Sequence, residues 1–265
     1  MSTHHNEIRT ALITGASAGI GLEFAKVFAE QGFDVILVAR REDKLQEIAS
    51  EIKAQFGQLA HVVAADLADP AAPQRLYEEV TQRKLKVDAL VNNAGYALNK
   101  GFLEAEWQEH ADFIQVLNTS MVQLCYLFGR DMRDNSYGRI INLASVAAFS
   151  PQLKGNLYGA AKSFVLDFTQ AIDLELREHN IHCTALCPGF TYSEFHDVMG
   201  TRGAVSRLPR FLWMDAHTVA REGYDAVMEG KTVHVNGLVN QGMSQLMSHL
   251  PLSIKQLIAK QQGLM

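Results

Sequence analysis

Short runs of uninterrupted apolar residues, each followed by a stretch with helical spacing, recur along most of this chain. Ala11-Leu12-Ile13 comes first, followed by Ile20, Phe24, Val27 and Phe28 at helical spacing and a stop at Gly32. Val35–Ala39, His61–Ala65, Ala89–Asn92, Arg139–Leu143 and Cys183–Leu186 repeat the strand signal. Helices are expected between them: about 42–56, from about Asp69-Pro70, about 107–132, and from the segment of Tyr158 to about His179. A strand that is apolar at every position must be covered on both faces. The alternation therefore predicts an α/β fold, a parallel sheet with helices on both sides. Right-handed crossovers make that sheet doubly wound, with ligands at the carboxyl ends of its strands. No linker or repeat divides residues 1–265, which are read as one domain. From about 189 to 214 the pattern turns irregular, as a lid or substrate loop would. A helix near Asp215–Glu229, a short strand at Thr232–Val235 and a tail over about 238–265 complete the expectation.

Composition narrows the function classes. A net charge of −5 offers no global positive field to nucleic acid or an anionic membrane. No stretch approaches the roughly 18 apolar residues of a membrane span, and the first residues lack the basic-then-apolar pattern of a secretion signal. Three cysteines, Cys125, Cys183 and Cys187, form no framework and no metal set. The expectation is a cytoplasmic protein with free thiols and no metal.

Two motifs carry chemistry. Thr14-Gly15-Ala16-Ser17-Ala18-Gly19-Ile20-Gly21 stands where the first strand turns into the first helix. Three glycines there suit a backbone that turns tightly and approaches a pyrophosphate, aimed at the positive end of a helix. One glycine suffices for a plain turn. Farther on, Tyr158 and Lys162 lie one helical turn apart, and Ser145 lies thirteen residues before the tyrosine. A hydroxyl, a phenol and an ammonium in one cleft are equipped for proton transfer at a carbonyl oxygen. An exposed Tyr–Lys pair and a turn serine are the bland alternatives.

The set resembles the short-chain dehydrogenase/reductase family, in its T-G-x-x-x-G-x-G and Y-x-x-x-K branch, over about residues 8–195. Asn92-Asn93-Ala94-Gly95 matches that family's N-N-A-G, Pro188-Gly189 its P-G, and Asn118 its catalytic asparagine. The resemblance implies a Rossmann-like sheet, a nicotinamide cofactor and a catalytic set of Asn118, Ser145, Tyr158 and Lys162. It also implies cofactor contacts from Gly15, Ser17, Ala18, Gly19, Ile20 and Gly21. Further contacts are implied for Asp66 and Leu67, for Asn93, Ala94 and Gly95, for Tyr158 and Lys162, and for Pro188, Gly189, Thr191 and Ser193. Asp66 has a competing use, capping the turn before Pro70.

The residues after the second strand choose the cofactor. An acidic side chain there would hold a ribose diol and repel a 2′-phosphate. This chain has Ala39, then Arg40 and Arg41, and a guanidinium grips a phosphate through paired hydrogen bonds. NADP(H) is therefore expected ahead of NAD(H), with Arg40 the principal contact and Arg41 or Lys44 as helpers.

In reduction, Tyr158 would give a proton to the oxygen as hydride reaches carbon, with Lys162 and the oxidised nicotinamide favouring the phenolate. Ser145 would hold the oxygen. By resemblance, Lys162 also holds the nicotinamide ribose, and Asn118 positions a relay water. The presumed lid carries Phe190, Phe195, Met199, Phe211, Leu212, Trp213 and Met214, and Ala147, Ala148, Phe149 and Leu153 follow Ser145. With no arginine pair among them, an apolar or bulky ketone or aldehyde is expected, with Ser145, Ala147, Phe149, Tyr158, Phe190 and Phe195 at the substrate. The same side chains would equally serve to pack the lid down. The resemblance further implies a homodimer through the long helices about 107–132 and 158–179, or else a homotetramer with added contacts near the last strand. An NADPH-binding regulator or scaffold with little turnover is the competing function.

Overall fold

The computed structural model describes residues 8–98, 100–149, 156–192 and 213–262. In chain order its strands are β1 (Thr10–Thr14), β2 (Asp34–Ala39), β3 (Ala60–Ala64), β4 (Ala89–Asn92), β5 (Gly138–Leu143), β6 (Ile181–Cys187), β7 (Phe190–Tyr192), β8 (Trp213–Asp215) and β9 (Val233–Val235). Seven of them form one parallel sheet in the order β3-β2-β1-β4-β5-β6-β9. The chain winds outward from β1 to β3, returns to β4, and winds the other way. The carboxyl ends of β1 and β4 therefore flank the crevice where the winding reverses, as the doubly wound expectation requires.

The sheet's two faces explain the unbroken apolar runs. Ala11 and Ile13 point into a core shared with α1 (Gly19–Glu30), α2 (Glu42–Phe56) and, later in the chain, the helix Ala216–Met228. Leu12 between them points into the opposite core, with α3 (Ala72–Gln82), the helix Ser120–Asp134 and the helix Asn156–Leu176. Every side chain of β1 is buried. Alternate residues would have been polar on a one-sided sheet.

Several boundaries differ from expectation, each for a local reason. α3 starts at Ala72, after a turn in which Asp69 accepts the Ala71 amide at 2.9 Å. The helix expected over 107–132 is three pieces: α4 (Trp107–Ile114), a π-helical turn (Gln115–Thr119) and α5 (Ser120–Asp134). The next helix, α6 (Asn156–Leu176), passes into a 3₁₀ turn (Arg177–His179) rather than running on. Where an irregular lid was expected, its described ends are paired strands, β7 and β8 forming a small parallel ribbon of their own. Asp215 caps α7 (Ala216–Met228) by accepting the Thr218 amide at 2.9 Å. The tail forms α8 (Leu238–His249) and α9 (Leu252–Gln262). Among the described residues no helix is long and apolar enough to cross a membrane.

Candidate active site

The crevice begins at the turn between β1 and α1. The Thr14 hydroxyl donates to the Val91 carbonyl at 3.2 Å and accepts the Asn93 and Ala94 amides, each at 3.0 Å. The Asn93 side-chain amide donates back to the carbonyls of Thr14 (2.9 Å) and Gly15 (3.3 Å). β1 and β4 are thus fastened together just past their ends. This fastening sets the glycines. Gly15 has φ +68°, and a Cβ there would stand 2.7 Å from Asn93 Nδ2. A Cβ on Gly21 would collide with the Gly15 carbonyl and the Asn93 amide. The expectation gave these glycines to pyrophosphate approach. Close packing of the turn on Asn93 requires two of them before any ligand is considered.

The same turn leaves α1 open to an anion. Gly19 starts the helix at φ +57°, and Ala18 before it is extended and supplies no side-chain cap. No acidic residue stands in the first turn, whereas α2 opens with Glu42 and Asp43. An uncapped helix start without carboxylates suits a pyrophosphate. Ile20 packs against the core beneath. The residues present therefore fit a dinucleotide.

At the end of β2, Arg40 and Arg41 are exposed. Arg41 donates to the Ser17 hydroxyl at 3.1 Å, bridging the second strand to the glycine turn. Lys44 does not join them. It pairs with Glu47 of its own helix at 2.9 Å. Asp66 uses Oδ1 to accept the Ala68 amide at 3.1 Å, which is the turn-capping alternative. Leu67 faces inward: its side chain lies in a core with Phe113 and Leu117, and its carbonyl accepts from the Ser120 hydroxyl at 2.9 Å. Leu67 also lines the crevice with Thr14, Ala94 and Lys162. Ala94 packs beside this core, and Gly95 lies against Leu117. Tyr96, which the motif reading passed over, stands within electrostatic range of both Arg40 and Asp66. Its place directly after Asn93-Ala94-Gly95 is the signal that would have found it.

Ser145, Tyr158 and Lys162 converge on the other side of the crevice. The β5–β6 ladder continues beyond β5: the Ala144 amide donates to Leu186 O (2.7 Å) and the Val146 amide to Pro188 O (3.1 Å). Ser145 is held between these two bonds, and its Oγ accepts the Ala147 amide at 3.1 Å. It also shares a side-chain hydrogen bond with Tyr158. Ala147 is buried, and Phe149, at the end of the 3₁₀ turn Val146–Phe149, packs against the core. From α6, Lys162 donates to the Leu143 carbonyl at 2.5 Å and lies 5.6 Å from the centre of the Tyr158 ring. Asn118, inside the π-helical turn, donates to Ala161 O at 3.1 Å. Its side chain thereby ties that turn to the residue before Lys162. π-turns recur at functional sites because they shift the helix register locally.

The electrostatics of this set run opposite to the phenolate expectation. Burial pushes the Tyr158 phenol up to about 12, with the Ser145 hydrogen bond opposing. Burial also lowers the Lys162 ammonium to about 8, with a smaller opposing effect from Cys187. The lysine lies against the ring and the Leu143 carbonyl, so desolvation outweighs its help to the phenolate. In both groups burial is the first cause of the shift. The three cysteines are buried free thiols, all raised by burial, Cys125 and Cys187 to about 12.

Beyond β6, Pro188 and Gly189 lead into β7. Thr191 is buried and its hydroxyl donates to Gly189 O at 3.2 Å. Phe190 is partly exposed, and Trp213 of β8 packs against it with ring centres 5.6 Å apart. Trp213 also stacks on Tyr192 at 4.7 Å, an aromatic pair that the sequence reading did not include. The expected cofactor contact Ser193 and the expected lid residues Phe195, Met199, Phe211 and Leu212 lie outside the described residues, as does Leu153.

A helix-flanked parallel sheet with this site at its winding reversal defines a dinucleotide-dependent oxidoreductase class, and the comparisons agree. The chain belongs to the short chain dehydrogenase family, whose profile matches residues 9–201. Serine 3-dehydrogenase of Agrobacterium fabrum is 30% identical over 244 residues, covering 89% of this chain and 96% of that protein. A short-chain dehydrogenase from Sphingobium yanoikuyae, solved in complex with NADPH, superposes with a TM-score of 0.81 at 28% identity, covering 92% of this chain and 96% of that one. The bulky-bulky ketone specific alcohol dehydrogenase from Comamonas testosteroni gives 0.77 at 26% identity, covering 92% and 95%.

Proposed function

We propose that the protein is an NADP(H)-dependent oxidoreductase that interconverts a ketone or aldehyde and an alcohol, with Tyr158 as the general acid in reduction. The observation that carries this is the Ser145–Tyr158 hydrogen bond above Lys162, facing the uncapped start of α1 across the crevice. When bound, the cofactor supplies the hydride. The chain's own residues do the rest. Ser145 binds the carbonyl oxygen, and Tyr158 gives that oxygen its proton. Lys162 holds the ribose and supports the phenol. Asn118 keeps the π-helical turn against α6 and positions the relay water that restores the tyrosine's proton.

Exposed Arg40, with Arg41 clasped to Ser17, supports a 2′-phosphate site, and the NADPH complex of the Sphingobium relative agrees with it. Asp66 and Tyr96 would flank the adenosine on the same edge. For the substrate, Phe190, Tyr192 and Trp213 present an aromatic wall with no cation among them, which favours an apolar or bulky carbonyl. Tyr126, Phe164 and Leu174 are exposed on α5 and α6, consistent with a homodimer formed through these helices.

Oxidation of NADPH and of NADH with a panel of ketones and aldehydes tests the reading. The expected result is preference for NADPH and for aryl or branched ketones over small hydrophilic ones. Tyr158→Phe should lower kcat by about 10²- to 10⁴-fold while NADPH binding, followed by nucleotide fluorescence, is retained. Tight NADPH binding with no turnover on any carbonyl would instead identify the regulator or scaffold. Arg40→Asp should reverse the cofactor preference, and an unchanged preference would remove Arg40 from the phosphate site.

A further inference from the structure

Gly189 stands at the root of β7, yet its backbone is not among the described glycines with positive φ, so conformation alone does not demand glycine there. Space does. A Cβ on Gly189 would stand 2.5 Å from Nδ2 of Asn240 and 2.8 Å from its Cγ and Oδ1. Asn240 belongs to the first turn of α8, and it is fixed there. Its Nδ2 donates to the Asn236 carbonyl at 2.9 Å and lies 3.9 Å from the Met214 sulfur. Asn236 is fully buried. Its amide donates to Cys187 O at 3.3 Å, and its side chain donates to Glu222 at 2.9 Å. Asn236 and Asn240 thus grip the chain on both sides of Pro188, at Cys187 and at Gly189. Pro188 in turn accepts the Val146 amide at 3.1 Å, directly after Ser145. α8 also packs against the 3₁₀ turn Val146–Phe149.

We propose that Asn240 is a positioning residue for the reaction: its side chain sets the height of the Pro188-Gly189 turn, and the turn sets Ser145. This rests on the reading of Ser145 as the group that binds the carbonyl oxygen. The helix α8 is by this route coupled to Ser145. An Asn240 that shrinks lets the turn sink toward α8. A Gly189 that grows pushes the turn, and Ser145 with it, away from α8.

The test is a double-mutant cycle with Gly189→Ala, Asn240→Ala and the double variant, read with acetophenone and NADPH. Nucleotide fluorescence measures NADPH binding, and thermal unfolding reports on the fold. Gly189→Ala should lower kcat/KM for acetophenone by about tenfold or more, the scale of a small misplacement of a catalytic group. Because Gly189 is itself an expected cofactor contact, turnover is read at saturating NADPH and the NADPH affinity of each variant is measured separately. Removing the Asn240 side chain in that background should restore most of the loss. A double variant no better than Gly189→Ala overturns the proposal. So does a loss confined to NADPH binding, or a loss tracked wholly by the melting temperature. Ser145→Ala separates the two layers. If it keeps wild-type turnover, or if the wild type reduces no carbonyl in the panel, the carbonyl-binding reading fails, and the positioning proposal falls with it.

Discussion

The two sides of the crevice are built by different means. On the β1–β4 side, side chains hold backbone: Thr14 and Asn93 bond the chain ends of two central strands to each other, and Gly15 and Gly21 are packed against that fastening. On the β5–β6 side, polar side chains are buried at a cost. Lys162 is only 6% exposed, and Ser145 is buried beside it. The first arrangement stabilises the fold while shaping a helix start for an anion. The second holds reactive groups away from water, where desolvation shifts them. One side is therefore expected to lose stability when its polar residue is removed, and the other to gain it.

Lys162→Met puts the largest figure on this contrast. Burial lowers the ammonium from the ordinary 10.5 to about 8, a shift that corresponds to about 3 kcal/mol at most. Below pH 8 both folded and unfolded chains carry the proton, and the folded state bears the whole desolvation cost. Between about 8 and 10.5 the unfolded chain binds more protons, so wild-type stability rises with pH in that window and falls again as pH drops through 8. The variant should unfold in urea with a free energy greater by up to about 3 kcal/mol at pH 7, and the advantage should shrink by pH 10. The exchanged hydrogen bond to Leu143 trims the gain. Equal stability at pH 7 would mean that the lysine is well solvated, and the contrast between the two sides would dissolve.

Asn93→Ala probes the other side with the opposite sign. It removes two donors to the Thr14 and Gly15 carbonyls and leaves those acceptors at the end of β1. Two net hydrogen bonds make a loss of about 2 kcal/mol, or a melting temperature lower by about 4–8 °C for a chain of this size. NADPH affinity should fall as well, since the uncapped α1 start rests on this turn. A variant as stable as the wild type would show that strand pairing alone holds the turn.

The same contrast governs what could be read in advance. The nucleotide side was legible because a backbone constraint writes itself into residue type. A turn at φ +68° and a helix packed on Asn93 both force glycine, and strands buried on two faces leave no polar gap in their runs. Arg41 could be read near the phosphate side, but its clasp on Ser17 belongs to the fold rather than to the motif. Tyr158 and Lys162 were legible as a pair because one helical turn joins them. Their electrostatics were not, since desolvation depends on everything packed around them. The π-helical turn left no trace in composition, because Gln115–Thr119 continues the apolar spacing of its neighbours. α8 and α9 were unreadable for the opposite reason: Leu238, Met243, Leu246 and Leu257 stay exposed, so periodicity pointed to no core. Asn240 earned no notice in sequence because its partner Gly189 lies far along the chain.

The smallest effect is expected at the outer wall, where recognition uses neither backbone bonds nor buried charge. Trp213 sits between Tyr192, stacked at 4.7 Å, and Phe190 at 5.6 Å. Such aromatic pairs contribute about 1 kcal/mol beyond burial, so Trp213→Ala should raise KM for acetophenone by about fivefold. It should leave NADPH binding unchanged. In the proposed mechanism Ser145 and Tyr158 place the reacting oxygen, so kcat should move by less than about twofold. A small hydrophilic ketone should show no comparable rise, because it has no apolar body to lay against the ring. If KM rose equally for both ketones, the ribbon would be acting as scaffold for the Thr191 turn rather than as a surface for the substrate, and the aromatic wall would belong with the stabilising half of the molecule.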